Sequence, residues 1–401
     1  MHVLISGAGI AGQALAYWLR HHGFTPTVVE RAPGPRPGGY KVDLRGVAVE
    51  VADRMGIGEH VRARATDMRG GTWLTRAGKP VAKLSGDLIG FRDPGDLEIL
   101  RGDLADILHR ATSGDVEYLF DDAIATIQDD GRGVHVIFEK SPPRTFDLVV
   151  GADGLHGGVR ALAFGPETGC AEGLGLSVAV FSVPNHLSLD RWEMACTGAG
   201  HIANLYGLRP TSDATAQLFF PTPDPPPGRH DRPAQQRAVA DAFAQHGWEV
   251  PRMLAAMHAA DDFYFDSLAQ IHLPNWSKGR VTLLGDAAYC PSPASGQGTS
   301  LAVVGAYVLA GELAAAHGDH LAAFERYERE LRPFVELNQR LGRDVVKQLV
   351  PATRLRAWAQ FTMLRMMPYM PGKARMMEQI MKPIREAANA ITLKPYTPAL
   401  R

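Results

Sequence analysis

The sequence predicts an α/β protein in which a mostly parallel sheet is interrupted by a second, mixed sheet and followed by a helical tail. Three short apolar runs, at residues 3–6, 148–151 and 281–284, each end in a glycine-containing turn, as buried parallel strands do. Residues 166–270 instead contain short strand-like runs separated by turns, and the segment after residue 321 has a helical pattern. These observations predict two sheets in separate domains and a helical carboxy-terminal segment.

The first strand leads into the turn Gly-Ala-Gly-Ile-Ala-Gly at residues 7–12 and then into a helical pattern at residues 14–22. A second strand at residues 27–29 ends in Glu30, eighteen residues after the turn. This order of strand, turn, helix and strand is the context that the dinucleotide-binding fingerprint requires. The three glycines and the lack of a cationic leader argue against a signal peptide.

Each glycine of this turn has its own expected role. Gly7 allows the tight turn, Gly9 lets the backbone approach a pyrophosphate, and Gly12 lets the helix lie close to the sheet. Glu30 is expected to bind ribose hydroxyls of an adenosine. The turn therefore predicts a bound dinucleotide.

A second candidate site begins at the strand of residues 281–284, which ends in Gly285 and Asp286. After a proline-rich turn, the segment Gly-Gln-Gly at residues 296–298 opens an apolar helix at residues 299–315. The Asp286 carboxylate can accept hydrogen bonds from polyol hydroxyls, and the positive end of the helix dipole can stabilise negative charge. This combination suits a ligand with both polyol and anionic parts.

Between these motifs lies the segment at residues 147–160, a buried strand followed by a turn with Asp153 and Gly154, and then by Arg160. Alone it is an ordinary Asp-Gly turn. Its position between the other two motifs favours a role in the same site.

The three segments resemble the signatures of the single-component FAD-dependent aromatic hydroxylases, the p-hydroxybenzoate hydroxylase-like class. Finer features resemble one branch, the tetracycline-inactivating flavin monooxygenases (tetracycline destructases), although relatives that tailor aromatic polyketides share much of the pattern. These features are Gly38-Gly39, Val42-Asp43-Leu44-Arg45-Gly46, Gly90-Phe91-Arg92, Glu98-Ile99-Leu100-Arg101-Gly102-Asp103-Leu104, Asp261-Asp262-Phe263-Tyr264-Phe265-Asp266 and Ala288-Tyr289-Cys290-Pro291-Ser292-Pro293.

The resemblance implies a p-hydroxybenzoate hydroxylase-like fold, with a Rossmann-like FAD-binding domain and a mixed-sheet substrate domain. It also implies that NADPH, as a transient reductant, reduces FAD, and that a flavin C4a-hydroperoxide formed with O2 hydroxylates an aromatic or enolic substrate. A tetracycline-type antibiotic is the first expectation. The alternatives are biosynthetic hydroxylation of another aromatic polyketide or phenol, and a flavoprotein reductase that does not oxygenate.

Residue roles carried over from the resemblance place Pro293 and Gly296 at the reacting edge of the flavin, with Arg101 and Asp43 near the cofactor. No catalytic residue is assigned, because the chemistry belongs to the flavin. The expected FAD-binding set is Gly7, Gly9, Ile10, Ala11, Gly12, Glu30, Arg31, Asp43, Arg101, Asp153, Gly285, Asp286, Pro293, Gly296, Gln297 and Gly298. The expected substrate contacts are Tyr206, Arg209, Phe219, Pro293 and Gly296.

Other candidates receive no chemical role. Tyr289 stands where many members of the class have a histidine, so no proton transfer is assigned to it. The histidines His156, His201 and His272 are read as surface groups or satisfied core groups.

The domain prediction assigns residues 1–75, 97–165 and 268–320 to the FAD-binding domain, and residues 76–96 and 166–267 to the substrate-binding domain. Residues 321–401 are the carboxy-terminal helices, a possible substrate lid. Seven of the thirteen methionines fall between residues 363 and 381. That pattern is consistent with adaptable core packing, an apolar lid or a membrane-surface helix.

Composition excludes several classes of protein. The net charge of −1 gives no electrostatic case for binding nucleic acid or an anionic membrane. Three cysteines give no disulfide framework, and the fifteen histidines show no metal-ligand spacing. We expect a cytoplasmic, metal-free and monomeric enzyme whose partners are a small aromatic molecule and O2.

Overall fold

The computed structural model of the protein describes residues 1–35, 38–86, 90–210, 212–351, 353–366, 370 and 372–396. The prolines of the tail also predict helix breaks at Pro368 and Pro371, and both positions lie outside these residues.

The strands of the described residues are numbered in chain order. They are β1 His2–Ser6, β2 Thr25–Glu30, β3 Lys41–Leu44, β4 Gly70–Thr75, β5 Pro80–Ser85, β6 Leu97–Leu100, β7 Glu117–Phe120, β8 Ile124–Asp129, β9 Val134–Phe138, β10 Arg144–Phe146, β11 Leu148–Gly151, β12 Ala171–Val183, β13 Trp192–Gly198, β14 His201–Gly207, β15 Ala214–Pro221, β16 Tyr264–Ile271, β17 Ser277–Lys278 and β18 Val281–Leu283.

The α-helices of the described residues are numbered in the same way. They are α1 Ile10–His21, α2 Val47–Arg54, α3 Gly58–Ala63, α4 Arg101–Arg110, α5 Gly158–Phe164, α6 Arg232–Phe243, α7 Val250–Met257, α8 Asp286–Tyr289, α9 Gly298–Ala315, α10 His320–Leu349, α11 Arg354–Met366 and α12 Lys373–Ala388.

The first sheet has six strands in the order β17-β18-β11-β1-β2-β7. All of its pairings are parallel except that of β17 with β18. Its central strands are apolar and buried along nearly their whole length, as expected for a parallel sheet covered on both faces. The three motifs of the sequence analysis therefore meet where β1, β11 and β18 end, at one edge of this sheet.

The second sheet has seven strands in the order β16-β12-β15-β14-β13-β4-β5 and is antiparallel except where β13 runs parallel to β4. One face packs on α6 and α7 through a cluster that includes Phe181, Phe220 and Phe243. The opposite face carries a smaller apolar cluster that includes Val178 and Phe219. Side chains alternate between the two faces along each strand, so this second face remains available to a ligand.

The predicted domain limits differ from this sheet at two places. The segment Gly70–Thr75 was assigned to the FAD-binding domain, but it pairs with β13 and β5 in the second sheet. The limit after residue 267 falls inside β16. Both strands follow or precede long turns, and the apolar pattern of a strand does not reveal which sheet it joins.

Helix α9 lies in the middle of the FAD-binding half of the molecule, where it packs against α1, α2 and α10. Among the helices of the described residues, α9 is the one that is long enough and apolar enough to cross a membrane. Its mean hydropathy is 1.4. Because 78% of that segment is buried inside the protein, it serves as a core helix.

The tail begins with α10, in agreement with the helical pattern predicted after residue 321. The methionines of the tail lie in two different environments. Met363, Met366 and Met370 are exposed, whereas Met381 on α12 is buried. Core packing therefore accounts for only part of the methionine-rich segment.

Candidate active site

Two connected cavities lie where the carboxyl ends of the parallel strands face the second sheet. The turn cavity, of about 410 Å³, surrounds the glycine-rich turn and reaches Glu30 and Asp153. The sheet cavity, of about 250 Å³, lies between the first sheet and the apolar face of the second and reaches Asp286 and Phe219. Both are lined by Gly9, Ile10, Arg101, Ala152 and Gly154.

The glycine-rich turn has the close approaches that its sequence predicts. Gly7 has a φ of +105°, and a Cβ there would lie 2.6 Å from the carbonyl oxygen of Ala152. A Cβ on Gly12 would lie 1.9 Å from the carbonyl oxygen of Gly7, so α1 could not approach β1 with any side chain at this position. A Cβ on Gly9 would meet no protein atom closer than the Arg101 guanidinium at 4.0 Å and would instead occupy space in the turn cavity.

Carboxylates line the rest of the turn cavity. Glu30 accepts hydrogen bonds from the backbone N–H groups of Ala8 at 2.9 Å and Ala32 at 2.8 Å, so it braces the turn. Asp153 accepts from the N–H of Val159 at 3.0 Å, while its Oδ1 is buried without a hydrogen-bond partner among the described residues. Burial raises the pKa of Asp153 above its ordinary value.

The floor of the sheet cavity is polar. Asp43 lies beside Arg45, with 2.8 Å between Oδ2 and Nη2, and its Oδ1 is buried without a partner among the described residues. Burial raises the pKa of Asp43 despite the opposing effect of Arg45, and burial likewise raises the pKa of Asp286. The amino-terminal residues of α9 also line this cavity, which places the positive end of a helix dipole against it.

The roof of the sheet cavity is the second sheet. Val178, Val180 and Phe219 present apolar side chains to it, and Gln217 supplies an amide among them. Cross-strand pairing of Val178 with Phe219 and of Val180 with Gln217 explains why these four side chains share a face. Such a surface suits a flat apolar molecule that carries a few polar groups.

Most of the predicted site residues lie at these cavities. Gly7, Glu30, Arg31 and Asp153 line the turn cavity, and the residues lining the sheet cavity include Ala11, Asp43, Asp286, Phe219, Pro293, Gly296 and Gly298. Gly12 and Gly285 allow close packing of the protein next to the turns. A Cβ on Gly285 would lie 3.1 Å from the Ala11 side chain. Gln297 is fully buried next to the cavity, and both of its side-chain polar atoms have no partner among the described residues.

Two expected substrate contacts lie elsewhere. Tyr206 is 1% exposed under the ammonium of Lys41, which is 4.4 Å from its ring centroid, and burial raises the pKa of Tyr206 to about 12. Arg209 is exposed in the turn after β14. Neither is among the described residues that line the sheet cavity. Tyr206 shares its strand face with cavity residues but lies further along the sheet.

The structure adds Lys41 to the residues lining the sheet cavity. Its ammonium lies 2.9 Å from a carboxylate oxygen of Glu193 and 3.6 Å from one of Glu98, and all three side chains are nearly buried. Although burial opposes the charged form, Glu193 and Glu98 raise the pKa of Lys41. Because Glu193 is on β13 of the second sheet and Glu98 is on β6, which pairs with β3 in a separate two-stranded sheet, this network joins the second sheet to that pair of strands.

Other cavity residues were also missed, namely Tyr40, Val178, Val180, Gln217 and Tyr264. Alternation along β12 and β15 could have suggested the three on those strands, had their common face been known. Tyr264 lies in the segment at residues 261–266 that carries part of the family resemblance, so that segment was the available signal. Nothing in the local sequence marks Tyr40.

The residues present fit FAD. The open space beside Gly9 can admit a pyrophosphate, and the unpartnered oxygens of Asp153 and Asp43 can accept hydrogen bonds from ligand hydroxyl or N–H groups. Among the described residues, no group of three or more His, Cys, Asp or Glu side chains is arranged to hold a metal ion.

Comparison with known proteins places the chain in a family. Residues 1–340 match the FAD binding domain family, so the protein belongs to it. The chain is 42% identical over 340 residues to a flavin-dependent monooxygenase from an unknown prokaryotic organism, which covers 85% of this chain and 88% of the relative. It is an FAD-dependent monooxygenase with the p-hydroxybenzoate hydroxylase-like fold.

Individual relatives extend the similarity. An uncharacterized protein of Mycobacterium tuberculosis strain H37Rv is 46% identical over 344 residues, covering 85% of this chain and 92% of the relative. The crystal structure of the tetracycline destructase Tet(55) superimposes with a TM-score of 0.85 and 36% identity, covering 98% of each chain. The predicted resemblance to the tetracycline destructases is therefore confirmed.

Proposed function

We propose that the protein uses FAD, NADPH and O2 to hydroxylate a polycyclic aromatic or enolic substrate, and that tetracycline-type antibiotics are its substrates. The observation that carries the proposal is the sheet cavity, where an apolar sheet face lies opposite the residues that fit the flavin. Val178, Val180 and Phe219 would contact the faces of a flat ring system, and Gln217 would orient one of its polar edges. The similarity to Tet(55) supports a tetracycline in particular.

FAD, when bound, supplies the activation of O2 and the transfer of one oxygen atom. The protein's own residues bind, orient and exclude water. Asp286, Asp153 and Glu30 would hold polyol and ribose hydroxyls, and the amino terminus of α9 would stabilise negative charge on the flavin. Arg101, which lines both cavities, would lie along the middle of the cofactor.

A biosynthetic hydroxylase of another aromatic polyketide or phenol is the second candidate, because the same apolar roof would accept its substrate. NADPH is proposed as a visiting reductant, since the sequence has one glycine-rich dinucleotide turn. Cytoplasmic location and a monomeric state remain predictions.

The test is to follow NADPH oxidation by the purified yellow protein with and without a tetracycline, while recording drug absorbance and product mass. Drug loss with a gain of one oxygen atom supports the proposal. NADPH consumption that tetracyclines leave unchanged, with no product, contradicts the tetracycline assignment and directs the search to other phenols.

A matched pair of variants tests the location of the substrate. Val180→Phe fills the sheet cavity beneath the apolar roof and should lower kcat/KM for the tetracycline roughly tenfold or more, because small misplacements near the reacting atoms are costly. FAD content should be unchanged. Ile137→Phe, the same kind of enlargement at a half-exposed position on β9, should leave both unchanged. Equal kinetics in the two variants would place substrate outside the sheet cavity.

A further inference from the structure

Four titratable side chains form a continuous chain of hydrogen bonds that starts at the sheet cavity. Tyr264 lines that cavity, and its hydroxyl donates to Asp266 at 2.9 Å. Asp266 lies 3.2 Å from Nε2 of His156, whose Nδ1 lies 3.0 Å from Glu167. We name this series of hydrogen bonds the His156 relay. His156 also lines the turn cavity, but the cofactor and substrate contacts proposed above give the relay no role.

Strand geometry explains the cavity end of the relay. Tyr264 and Asp266 are two residues apart on β16, so both side chains leave the same face of the second sheet. They pair with Val180 and Val178 of β12, which line the roof of the sheet cavity. The relay therefore starts on the face where a substrate would lie.

The other end of the relay reaches solvent. The side chain of Glu167 is 30% exposed, whereas that of Asp266 is 15% exposed. Arg160 and Arg229 approach Glu167, at 3.1 Å and 3.8 Å. Glu167 is therefore more accessible to water than Asp266 is. Tyr264, at the cavity end, is itself 41% exposed, and a substrate in the sheet cavity would cover it.

His156 is held between two carboxylates. Burial alone would lower its pKa, but the hydrogen bonds and charges of Asp266 and Glu167 raise it above the ordinary value. The imidazole therefore keeps its proton to a higher pH than an ordinary histidine does, and a histidine can both take up and release a proton.

We propose that Tyr264, Asp266 and His156 carry protons between solvent and the sheet cavity. This inference rests on the proposed function, since reduction of O2 by the reduced flavin consumes a proton in that cavity. An oxygen atom in the cavity takes the proton of the Tyr264 hydroxyl. Tyr264 then takes a proton from Asp266, and Asp266 takes a proton from Nε2 of His156. Water at Glu167 then returns a proton to His156, so one proton moves inward and no charge accumulates.

The experiment uses the FAD-loaded protein without NADPH or aromatic substrate. The enzyme is reduced with dithionite and mixed with O2, and flavin absorbance is followed from about pH 5.5 to 9.5 in H2O and in D2O. Reoxidation that forms H2O2 consumes one proton, so it reports on proton delivery. Because neither NADPH nor a tetracycline is present, failure of those assignments would not disturb this measurement.

In the wild-type protein, reoxidation should be fast while His156 is protonated and should slow as pH rises through its pKa. His156→Gln should remove this pH dependence and slow the reaction at acidic pH by about tenfold or more. Tyr264→Phe, which deletes one oxygen atom, should slow it similarly. His186→Gln breaks a comparable histidine–carboxylate pair, with Glu249 at 2.7 Å, and should behave as wild type.

A structural role alone would give another result, because the relay also joins the two sheets. Lowered Tm in His156→Gln and Tyr264→Phe, with an unchanged pH profile and solvent isotope effect, would overturn the proposal. If His156→Gln no longer binds FAD, the pH profile of reoxidation in Tyr264→Phe tests the proposal instead.

Discussion

Gly9 and Gly12 lie in one turn, but the structure requires each of them for a different reason. A Cβ at Gly12 collides with the backbone of Gly7 at 1.9 Å, so this glycine is needed by the fold itself. A Cβ at Gly9 meets only the Arg101 guanidinium at 4.0 Å, and the φ of −75° at Gly9 is allowed for any residue. The fold itself therefore does not require a glycine at position 9.

This difference gives a prediction for two matched variants. Gly9→Ala should fold with the wild-type Tm but bind FAD at least tenfold more weakly, roughly 1.4 kcal/mol, because its methyl group intrudes on the pyrophosphate. Gly12→Ala should lose about 1–3 kcal/mol of folding stability, because α1 must move away from β1. Thermal unfolding of the cofactor-free proteins and FAD titration by fluorescence measure the two effects. Full FAD affinity in Gly9→Ala would contradict the assigned site.

The positions of these glycines in the turn were predictable because they depend on residues close in sequence. The same holds for Asp153 and Asp286, each of which follows a strand of the parallel sheet. Lys41 was not predictable, because its partner Glu193 is 152 residues away and reaches it only after the two sheets meet. Tyr206 and Arg209 could not be placed for the same reason. The resemblance put substrate contacts on the second sheet, but the sequence did not show which part of that sheet meets the cavity.

At the scale of elements, the segment after α12 is tied to the core of the FAD-binding half. Glu312 on α9 is buried, and one carboxylate oxygen accepts from Lys394 at 2.9 Å and from Tyr396 at 2.8 Å. The Tyr396 ring covers Gly311, where a Cβ would lie 2.2 Å from the ring. This part of the tail is structural and does not line either cavity among the described residues.

The prediction is that removing residues 390–401 destabilises the protein by up to about 3–5 kcal/mol, the cost of leaving a buried charge unpaired. Removing only residues 397–401 keeps the contacts of Lys394 and Tyr396 and should change Tm little. Thermal unfolding of both truncations checks this. Equal Tm values would show that Glu312 does not depend on the tail.

Helix α11 differs from that anchored segment. It packs against β5 and β13, yet Leu355 and Trp358 remain 72% and 64% exposed. These exposed apolar side chains are consistent with the substrate lid that the resemblance implies, and the lid stays a prediction. Truncation after residue 350 would remove α11 together with the structural contacts of Tyr396, so a change confined to α11 is the better test of a lid.

At the scale of the whole molecule, local patterns predicted the parallel sheet, α10 and the order of the motifs, because each depends on short-range periodicity. The second sheet was predicted only in part. Strand β13 was not foreseen, since residues 192–198 combine glutamate, threonine and glycine without clear alternation, and its parallel pairing with β4 joins distant segments. The His156 relay likewise joins distant segments, since His156 and Asp266 are 110 residues apart, so local patterns could not predict it.

The last prediction concerns the stability of the whole fold in acid. His22 and His246 are buried, and none of their ring nitrogens has a hydrogen-bond partner among the described residues. Burial, with nearby His21 for His22 and nearby His201 for His246, lowers the pKa of each to about 4. Unfolding exposes both rings and restores their ordinary pKa of about 6.5.

The sign follows from proton binding. Above about pH 6.5, both histidines are neutral in the folded and unfolded states, so they do not affect the free energy of unfolding. Below that pH the unfolded chain binds more protons than the folded protein does, so the free energy of unfolding falls until about pH 4. Each histidine contributes up to about 3 kcal/mol over that window.

The double variant His22→Leu and His246→Leu should therefore lose Tm less steeply than wild type between about pH 6.5 and 4. His60→Leu, at an exposed position on α3, is the control and should follow the wild-type curve. Carboxylates whose pKa is raised, such as Asp153 and Asp286, act in the opposite direction, but they are common to all three proteins and cancel in the comparison. Parallel curves for the double variant and wild type would mean that the two buried rings become protonated without unfolding.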